Sequence, residues 1–391
     1  MKFNVPLLYT NAGAPLKDVC VTVAEQGTVL SIVEGFSDEG KNISGVVVPG
    51  LVNAHCHLEL SHLKNKIVPC TDGMSGFLRQ LFNLRFSADE DEAYTAMLAA
   101  DRSMWGQGII AVGDVSNFSA SLGVKKQSEI HYHTFVELAG LNPAKAEELV
   151  AASQTMVDAF KAEGLACSLS PHAPYSVGME LYRRIFSALG TEDPMTFHIH
   201  ESTDELDFFS GRQGALYALF ADMGFPLDTL DMVVESGRPL PELLHVFPPL
   251  HRLQLVHNTV TLPEEMERAV QNRKGLYWCL CPAANLFITG MLPSVESMYR
   301  HGLNMTLGTD SLASNTELSL VAELRILARA FPEIPFSDML EWATVNGAQF
   351  LGLPNEQVTI REGQKCTLVN VIGVNPDAPH WSQAISSERL Q

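Results

Sequence analysis

Nowhere in the 391 residues does an apolar run approach the about 20 that a bilayer-spanning helix needs. Basic residues are scarce as well: 26 Lys and Arg stand against 45 Asp and Glu, a formal net charge of −19. That balance argues against a nucleic-acid backbone or an anionic membrane surface as partner, because such binders concentrate Lys and Arg. Seven cysteines, at 20, 56, 70, 167, 279, 281 and 366, include no Cys-x-x-Cys pair. They read as scattered buried thiols of a reducing compartment. The opening Met1–Tyr9 has one Lys and a short apolar patch, which is not the pattern of a secretory signal. The expected location is cytoplasmic and the expected partner a small-molecule substrate, with a homo-oligomer left open. Internal repeats, a phosphate-binding Gly-rich loop and a serine nucleophile elbow are also missing.

What is present is a globular balance, 46% hydrophobic and 18% charged, in a chain long enough for one large barrel with an accessory unit. The first 48 residues read as short strands: Val19–Val23 and Val29–Val33 around a Gln26-Gly27 turn, then Ile43–Val48. From Pro49 to about Leu353 apolar bursts alternate with helix-length segments such as Asp91–Trp105, Ala144–Glu163 and Leu318–Ala330. The bursts are a strand ending at Leu51-Val52, then Ile109–Val112, His131–Val136, Ala166–Ser170, Met195–His200, Leu253–His257, Leu276–Leu280 and Asn304–Gly308. Alternation of this kind builds βαβ units and a parallel sheet, and the strand count fits an eight-stranded β/α barrel of the TIM type. The tail from Gln357 to Val374 returns to strand texture. The expected organisation is a barrel over 49–353 and one small β-sandwich domain built from both chain ends, 1–48 and 354–391. The stretch from Phe225 to Pro249 reads as an irregular crossover after the fifth barrel strand.

Thirteen histidines are present, and their placement says more than their number. His55-Cys56-His57 follows the first barrel strand directly, and alternation along a strand puts both imidazoles on one side. His131-Tyr132-His133 has the same spacing but no evident place at a strand's carboxyl end. His198 falls at the end of strand five, His257 at the end of strand six and Asp310 at the end of strand eight. Active sites of such barrels lie at the carboxyl ends of the strands. Three imidazoles and a carboxylate gathered there suit a borderline divalent metal such as zinc. His200-Glu201-Ser202-Thr203-Asp204 is not the His-Glu-x-x-His of zinc proteases, because Asp204 stands where the second imidazole belongs.

With these residues in view, the chain resembles the amidohydrolase superfamily. The resemblance is to its metal-dependent deaminase branch of adenosine-type and aminodeoxyfutalosine deaminase-like enzymes, which is related to chlorohydrolases. The segments that carry it are Pro49–His57, Pro171-His172-Ala173-Pro174-Tyr175, His198-Ile199-His200-Glu201, Val256-His257-Asn258, Cys281–Asn285 and Gly308–Asn315. Val345–Gly352 is similar to the family's closing helix, whereas Lys365-Cys366-Thr367-Leu368 departs from its usual last β segment. The resemblance implies His55, His57, His198 and Asp310 as ligands of one divalent ion, zinc first and iron second. His198 is preferred to His200 because the family's ligand precedes the catalytic Glu by three positions, here Glu201. His200 shares its strand face and is kept as a second candidate for the mouth. A metal-bound hydroxide would attack, Glu201 would carry a proton, His257 would hold the attacking water and Asp310 would accept its proton.

The resemblance further implies His172 as a substrate contact. Glu59 and Ser61 lie on the first loop, and Phe77 and Arg79 follow in Met74–Leu81, an aromatic to stack and a cation for a carboxylate. Ser314 belongs to the segment after Asp310 and completes the expected substrate-binding set. The expected activity is release of ammonia from an aromatic amine, an adenine-type nucleoside of the aminodeoxyfutalosine-like kind. Hydrolysis of a cyclic amide, imidazolone or chlorinated ring on the same site is the alternative, and a non-catalytic barrel scaffold a further one.

Overall fold

The computed structural model describes residues 1–69, 72–232, 234, 236–248, 252–374 and 381–390, with only the backbone given for 381–384. Five strands open the chain: β1 (Lys2–Leu8), β2 (Leu16–Val23), β3 (Val29–Glu34), β4 (Lys41–Asn42) and β5 (Val46–Pro49). Two close it, β14 (Leu368–Val374) and β15 (Trp381–Arg389). Together they form one seven-stranded sheet in the order β15-β14-β5-β1-β2-β3, with β4 beside β1. The tail therefore pairs with the start of the chain, Leu368 opposite Pro49 and Val371 opposite Val46, antiparallel. The expected strand Ile43–Val48 starts only at Val46, because Ile43, Ser44 and Gly45 lie between β4 and β5. Gly45 sits against the carbonyl oxygen of Val371 where a Cβ has no room, so a glycine is required just before β5.

The middle of the chain supplies two four-stranded parallel sheets, β6-β7-β8-β9 and β10-β11-β12-β13. Their members are β6 (Leu51–Cys56), β7 (Ile109–Ser116), β8 (His131–Leu138), β9 (Ala166–Pro171), β10 (Met195–Ile199), β11 (Leu253–His257), β12 (Leu276–Leu280) and β13 (Met305–Leu307). β7 to β13 match apolar bursts of the sequence, whereas β6 begins at Leu51, where the expected first strand ends, and takes in His55 and Cys56. β10, β11, β12 and β13 are buried at every position, which is why they read as continuous apolar runs rather than alternating ones. Helices fall between the strands, among them α1 (Gly73–Leu84) and α2 (Glu90–Gly106). The stretch after β10 holds a turn of 3-10 helix at Leu227–Thr229 and a helix at Pro239–Val246; residues 233, 235, 249 and 250 lie outside the described residues.

The two parallel sheets meet edge to edge twice. Between β9 and β10, Ser170 Oγ donates to the Thr196 carbonyl (2.8 Å) and accepts from Thr196 N (2.9 Å). Between β6 and the chain beyond β13, Thr309 N donates to the His55 carbonyl (3.0 Å), and Cys56 and Asp310 form a parallel bridge. Val52, Ala54, Ala111, Phe135, Val256 and Cys279 pack as one apolar cluster with Phe350, which comes from the helix Val345–Leu351. The six described cysteines are all buried. No helix of the described residues is long and apolar enough to cross a membrane.

Candidate active site

The strands deliver their chemistry at one end. β6 carries His55, and His57 follows two residues on. β10 carries His198, β11 ends on His257, and Asp310 lies three residues past β13. One nitrogen each of His55, His57 and His198 lies within 4.8 Å of the other two. His57 Nε2 is 3.3 Å from His198 Nε2, and Asp310 Oδ1 is 3.5 Å from His57 Nε2 and 3.8 Å from His55 Nε2. By contrast, His131 is exposed at the start of β8 and His133 is spent on Ser168 Oγ at 2.8 Å.

The donor set fits a divalent ion. Both ring nitrogens of fully buried His55 are without a hydrogen-bond partner, and a buried polar atom left so costs about 1–3 kcal/mol. A tetrahedral zinc with bonds of about 2.0–2.1 Å places neighbouring nitrogens roughly 3.3 Å apart, which is the His57–His198 separation. His198 Nδ1 donates to the His172 carbonyl at 3.0 Å, which leaves the Nε2 lone pair facing the cluster. Burial holds His55 well below the ordinary histidine value, with His57, His198 and His257 adding to the effect. Burial likewise brings His198 and His257 down to about 3. Neutral imidazoles are what a metal requires.

Local backbone fixes this geometry. Asn53 and Thr309 exchange two hydrogen bonds, 2.7 and 3.1 Å, and His57 N donates to the Asp310 carbonyl at 3.3 Å. Gly308 allows the approach, since a Cβ there would lie 2.7 Å from the Cβ of His55. Of the eight described non-glycine residues with positive φ, four are here: His200, His257, Asn258 and Asp310. Such conformations are costly for residues with a side chain and cluster at functional sites.

Glu201 and His257 stand beside the cluster. His257 Nε2 is 3.5 Å from Glu201 Oε1, and the His257 ring stacks on that of His198 at 5.4 Å. Burial, reinforced by Asp310 and Glu205, pushes the Glu201 carboxyl well above the usual range. Glu205 Oε2 in turn accepts from the backbone N of Glu201 at 3.0 Å.

The remaining expected residues divide. His172 lines the space at the cluster, its Nδ1 2.6 Å from Ser176 Oγ. Phe77 is buried there, edge-on to Phe287. Glu59 lines a neighbouring 590 Å³ cavity and accepts from Asn117 N and Phe118 N; burial raises its carboxyl to about 7. Four placements need correction. Arg79 is exposed on the outer face of α1, because residues two apart on a helix point in different directions. Ser314 is fully buried and donates to Asp310 Oδ2 at 2.6 Å, so it holds the aspartate rather than facing a ligand. His200 leaves the strand face through its φ of 51° and pairs with Thr261 Oγ1 at 3.0 Å. Ser61 also turns inward, donating to the Leu58 carbonyl.

Two features carried no motif. Glu137, with its side chain 7% exposed, lies 3.6 Å from His198 Nδ1 and forms with His172 and His198 a second group of potential ligands. Burial would raise its pKa, but His172 and His198 outweigh that and hold it low. It is the last residue but one of β8, as His55 and His198 are of their strands, and lies one residue beyond the expected limit at Val136. The second feature is a fully buried ion pair, Lys125 Nζ to Asp114 Oδ2 at 2.6 Å. Asp114 Oδ1 accepts from Leu58 N at 2.7 Å, so the pair holds the turn that follows His57. Lys125→Met strands a buried carboxylate, a change that costs about 3–5 kcal/mol. A markedly lower melting temperature is expected, partly recovered when Asp114→Asn is added. A single variant as stable as the parent contradicts this.

Comparison with known proteins adds the following. The sequence pattern of the Amidohydrolase family matches residues 46–384. An adenosine deaminase of Helicobacter pylori is 26% identical over 338 residues, 85% of this chain and 80% of that protein. A crystal structure of H. pylori aminofutalosine deaminase with methylthio-coformycin superposes with a TM-score of 0.77 at 23% identity, over 94% of this chain and 91% of the other. A zinc-bound adenosine deaminase from Xanthomonas campestris gives 0.71 at 22%, over 95% and 84%. At these identities the structural likeness is one of fold.

Proposed function

Since the chain belongs to the amidohydrolase family, we propose that it is a metal-dependent hydrolytic deaminase that releases ammonia from an adenine-type nucleoside. The observation that carries this reading is the convergence of His55, His57, His198 and Asp310 beside a buried Glu201–His257 pair. The two parallel sheets form a single eight-stranded barrel over residues 49–353, a reading supported by their contacts at Ser170–Thr196 and Cys56–Asp310. Residues 1–48 and 354–391 form the small accessory unit. The kinship of the named relatives with adenine nucleoside chemistry, and the zinc of one of them, support the substrate class and the choice of metal.

His55, His57, His198 and Asp310 would hold the ion, zinc before iron. Bound there, a divalent ion supplies a water acidified to near neutrality and a Lewis-acid charge. Asp310 keeps Oδ2 on Ser314 and turns Oδ1 to the cluster, the place to take a proton from the attacking water. Glu201, whose carboxyl burial pushes well above the usual range, donates its proton to the ring nitrogen beside the amine-bearing carbon. The proton that Asp310 took from the water passes to the departing ammonia, and Glu201 is restored by the proton of the newly added hydroxyl as the carbonyl forms. His257 hydrogen-bonds the water and keeps Glu201 oriented. His172 and Phe77 contact the substrate ring, and Glu137 accepts from it across the adjoining 220 Å³ cavity.

Ammonia release across a panel of adenine nucleosides, cyclic amides, imidazolones and chlorinated rings tests the proposal. Turnover of the nucleosides is expected. Turnover confined to amides or chlorinated rings, or none with metal supplied, contradicts it.

A further inference from the structure

We propose that Glu323 is a positioning residue for Asp310, acting through Asn315 to fix which carboxylate oxygen faces the histidine cluster. The inference rests on the deaminase reading for the role of Asp310, and on geometry for the link to it. Glu323 lies on the helix Leu320–Ala330 and is fully buried. Its buried neighbours on that helix, Leu320, Val321, Leu324 and Leu327, are all apolar, so a single carboxyl interrupts an apolar face. Burial pushes that carboxyl up to about 8 although the Ala283 and Asn315 hydrogen bonds pull it down, and Asp310 adds to the rise. A buried carboxyl costs free energy that apolar packing does not. Stability alone gives no reason for it.

Both oxygens of Glu323 are engaged. Oε2 accepts from Ala283 N at 2.8 Å and Oε1 from Asn315 Nδ2 at 2.7 Å. Ala283 is in the first turn of the helix Pro282–Thr289, which follows β12. Asn315 closes the turn that follows β13: its Nδ2 also donates to the Thr309 carbonyl at 3.1 Å, and its Oδ1 accepts from Thr316 N at 2.8 Å. Asp310 and Ser314 lie inside that turn, joined by the 2.6 Å bond from Ser314 Oγ to Asp310 Oδ2, and Ser314 N donates to the Ser311 carbonyl at 3.2 Å. One end of the turn is held by Asn53 through Thr309 and the other by Glu323 through Asn315. The φ of 55° at Asp310 is a costly conformation that such a clasp has to maintain.

A carboxylate free to turn about its Cβ–Cγ bond exchanges its two oxygens. Ser314 prevents this for Asp310 only while Ser314 itself stays in place, and the next residue, Asn315, is placed by Glu323. Release of Asn315 lets the Ser314 hydroxyl follow. Asp310 Oδ1, now 3.5 Å from His57 Nε2 and 3.8 Å from His55 Nε2, then loses its fixed direction. A misplacement of about 1 Å in a reacting group costs about 10²-fold in rate. A residue that merely caps the helix Pro282–Thr289 would need its bond to Ala283 and no other, and Asn315 would be immaterial to it. That difference separates the two roles by experiment.

The test pairs turnover of an adenine nucleoside at saturating zinc with the visible spectrum of the cobalt(II)-loaded protein, which follows the number and arrangement of the ligands. Glu323→Gln keeps the shape but sets an amide NH2 against one of two N–H donors. Asn315→Ser cuts the link and leaves the bond to Ala283. Both are expected to change the cobalt spectrum in the same way and to lower kcat by about 10–100-fold, with KM within about twofold of the parent. The double variant is expected to lose no more than the worse single one, as residues acting as a unit do. Asp101→Asn, which removes a buried carboxyl bonded to Ser128 and Tyr132 instead, is expected to lower the melting temperature with neither effect. Parental kcat and spectrum in Glu323→Gln, a change that Asn315→Ser does not share, or additive losses in the double variant overturn the link. If Glu323→Gln does not fold, the spectrum and kcat of Asn315→Ser decide. Should no nucleoside be turned over, the deaminase reading falls and the cobalt spectra still decide the link; a parent protein that takes up no cobalt overturns both.

Discussion

Glu201→Gln is expected to lower kcat by about 10²–10⁴-fold, the usual worth of a positioned general acid–base, while leaving the metal content unchanged. The substitution keeps the size and the oxygen that faces His257 Nε2 at 3.5 Å. It removes only the ability to carry a proton. Glu201 is 7% exposed, and its neighbours Asp310 and Glu205 are acidic, so its carboxyl holds a proton far above the usual pH. A group of that kind is suited to donate to a ring nitrogen that becomes basic as water adds to the adjacent carbon. KM is expected to move little, because the proton is shared only as the reaction proceeds. Turnover within a few-fold of the parent removes Glu201 from the chemistry, and loss of metal together with activity makes it a structural residue instead.

A different deficit is expected from His55→Ala. Its imidazole is fully buried, has no partner for either nitrogen and lies among His57, His198 and His257. Loss of even an outer-shell partner weakens metal binding by about 10–100-fold, so loss of a ligand is expected to exceed that and bring the metal below one per chain after dialysis. His200→Ala is the matched control. That histidine is equally buried but is turned to Thr261 and Glu265, and its loss is expected to leave the metal in place. Full occupancy in His55→Ala, or equal losses in both variants, contradicts the assignment.

Much of this was legible before any coordinates. Strands buried on both sides write themselves as apolar bursts, so β7 to β13 are readable, while β6 runs four residues past the expected end at Val52 because Asn53 and His55 interrupt its apolar run. The rule that chemistry sits where such strands end picks out His55, His198, His257 and Asp310. The same rule reaches Glu137 once β8 is allowed its last two residues. What resisted depended on direction rather than on pattern. A left-handed φ at His200 takes the side chain off the face that alternation predicts. Arg79 and Arg85 are equivalent as letters, and only the turn after α1 puts the second at the 220 Å³ cavity. Lys125 lies on a short helix, yet its ammonium is fully buried against Asp114. β15 was missed because Trp381–Arg389 is mostly polar, as an edge strand is free to be.

The account stands or falls most directly on anomalous diffraction from crystals of the zinc-loaded protein, recorded on either side of the zinc absorption edge. It predicts one peak within bonding distance of His55 Nε2, His57 Nε2, His198 Nε2 and Asp310 Oδ1. A peak elsewhere, or a fully loaded protein with no anomalous density among those four atoms, contradicts it.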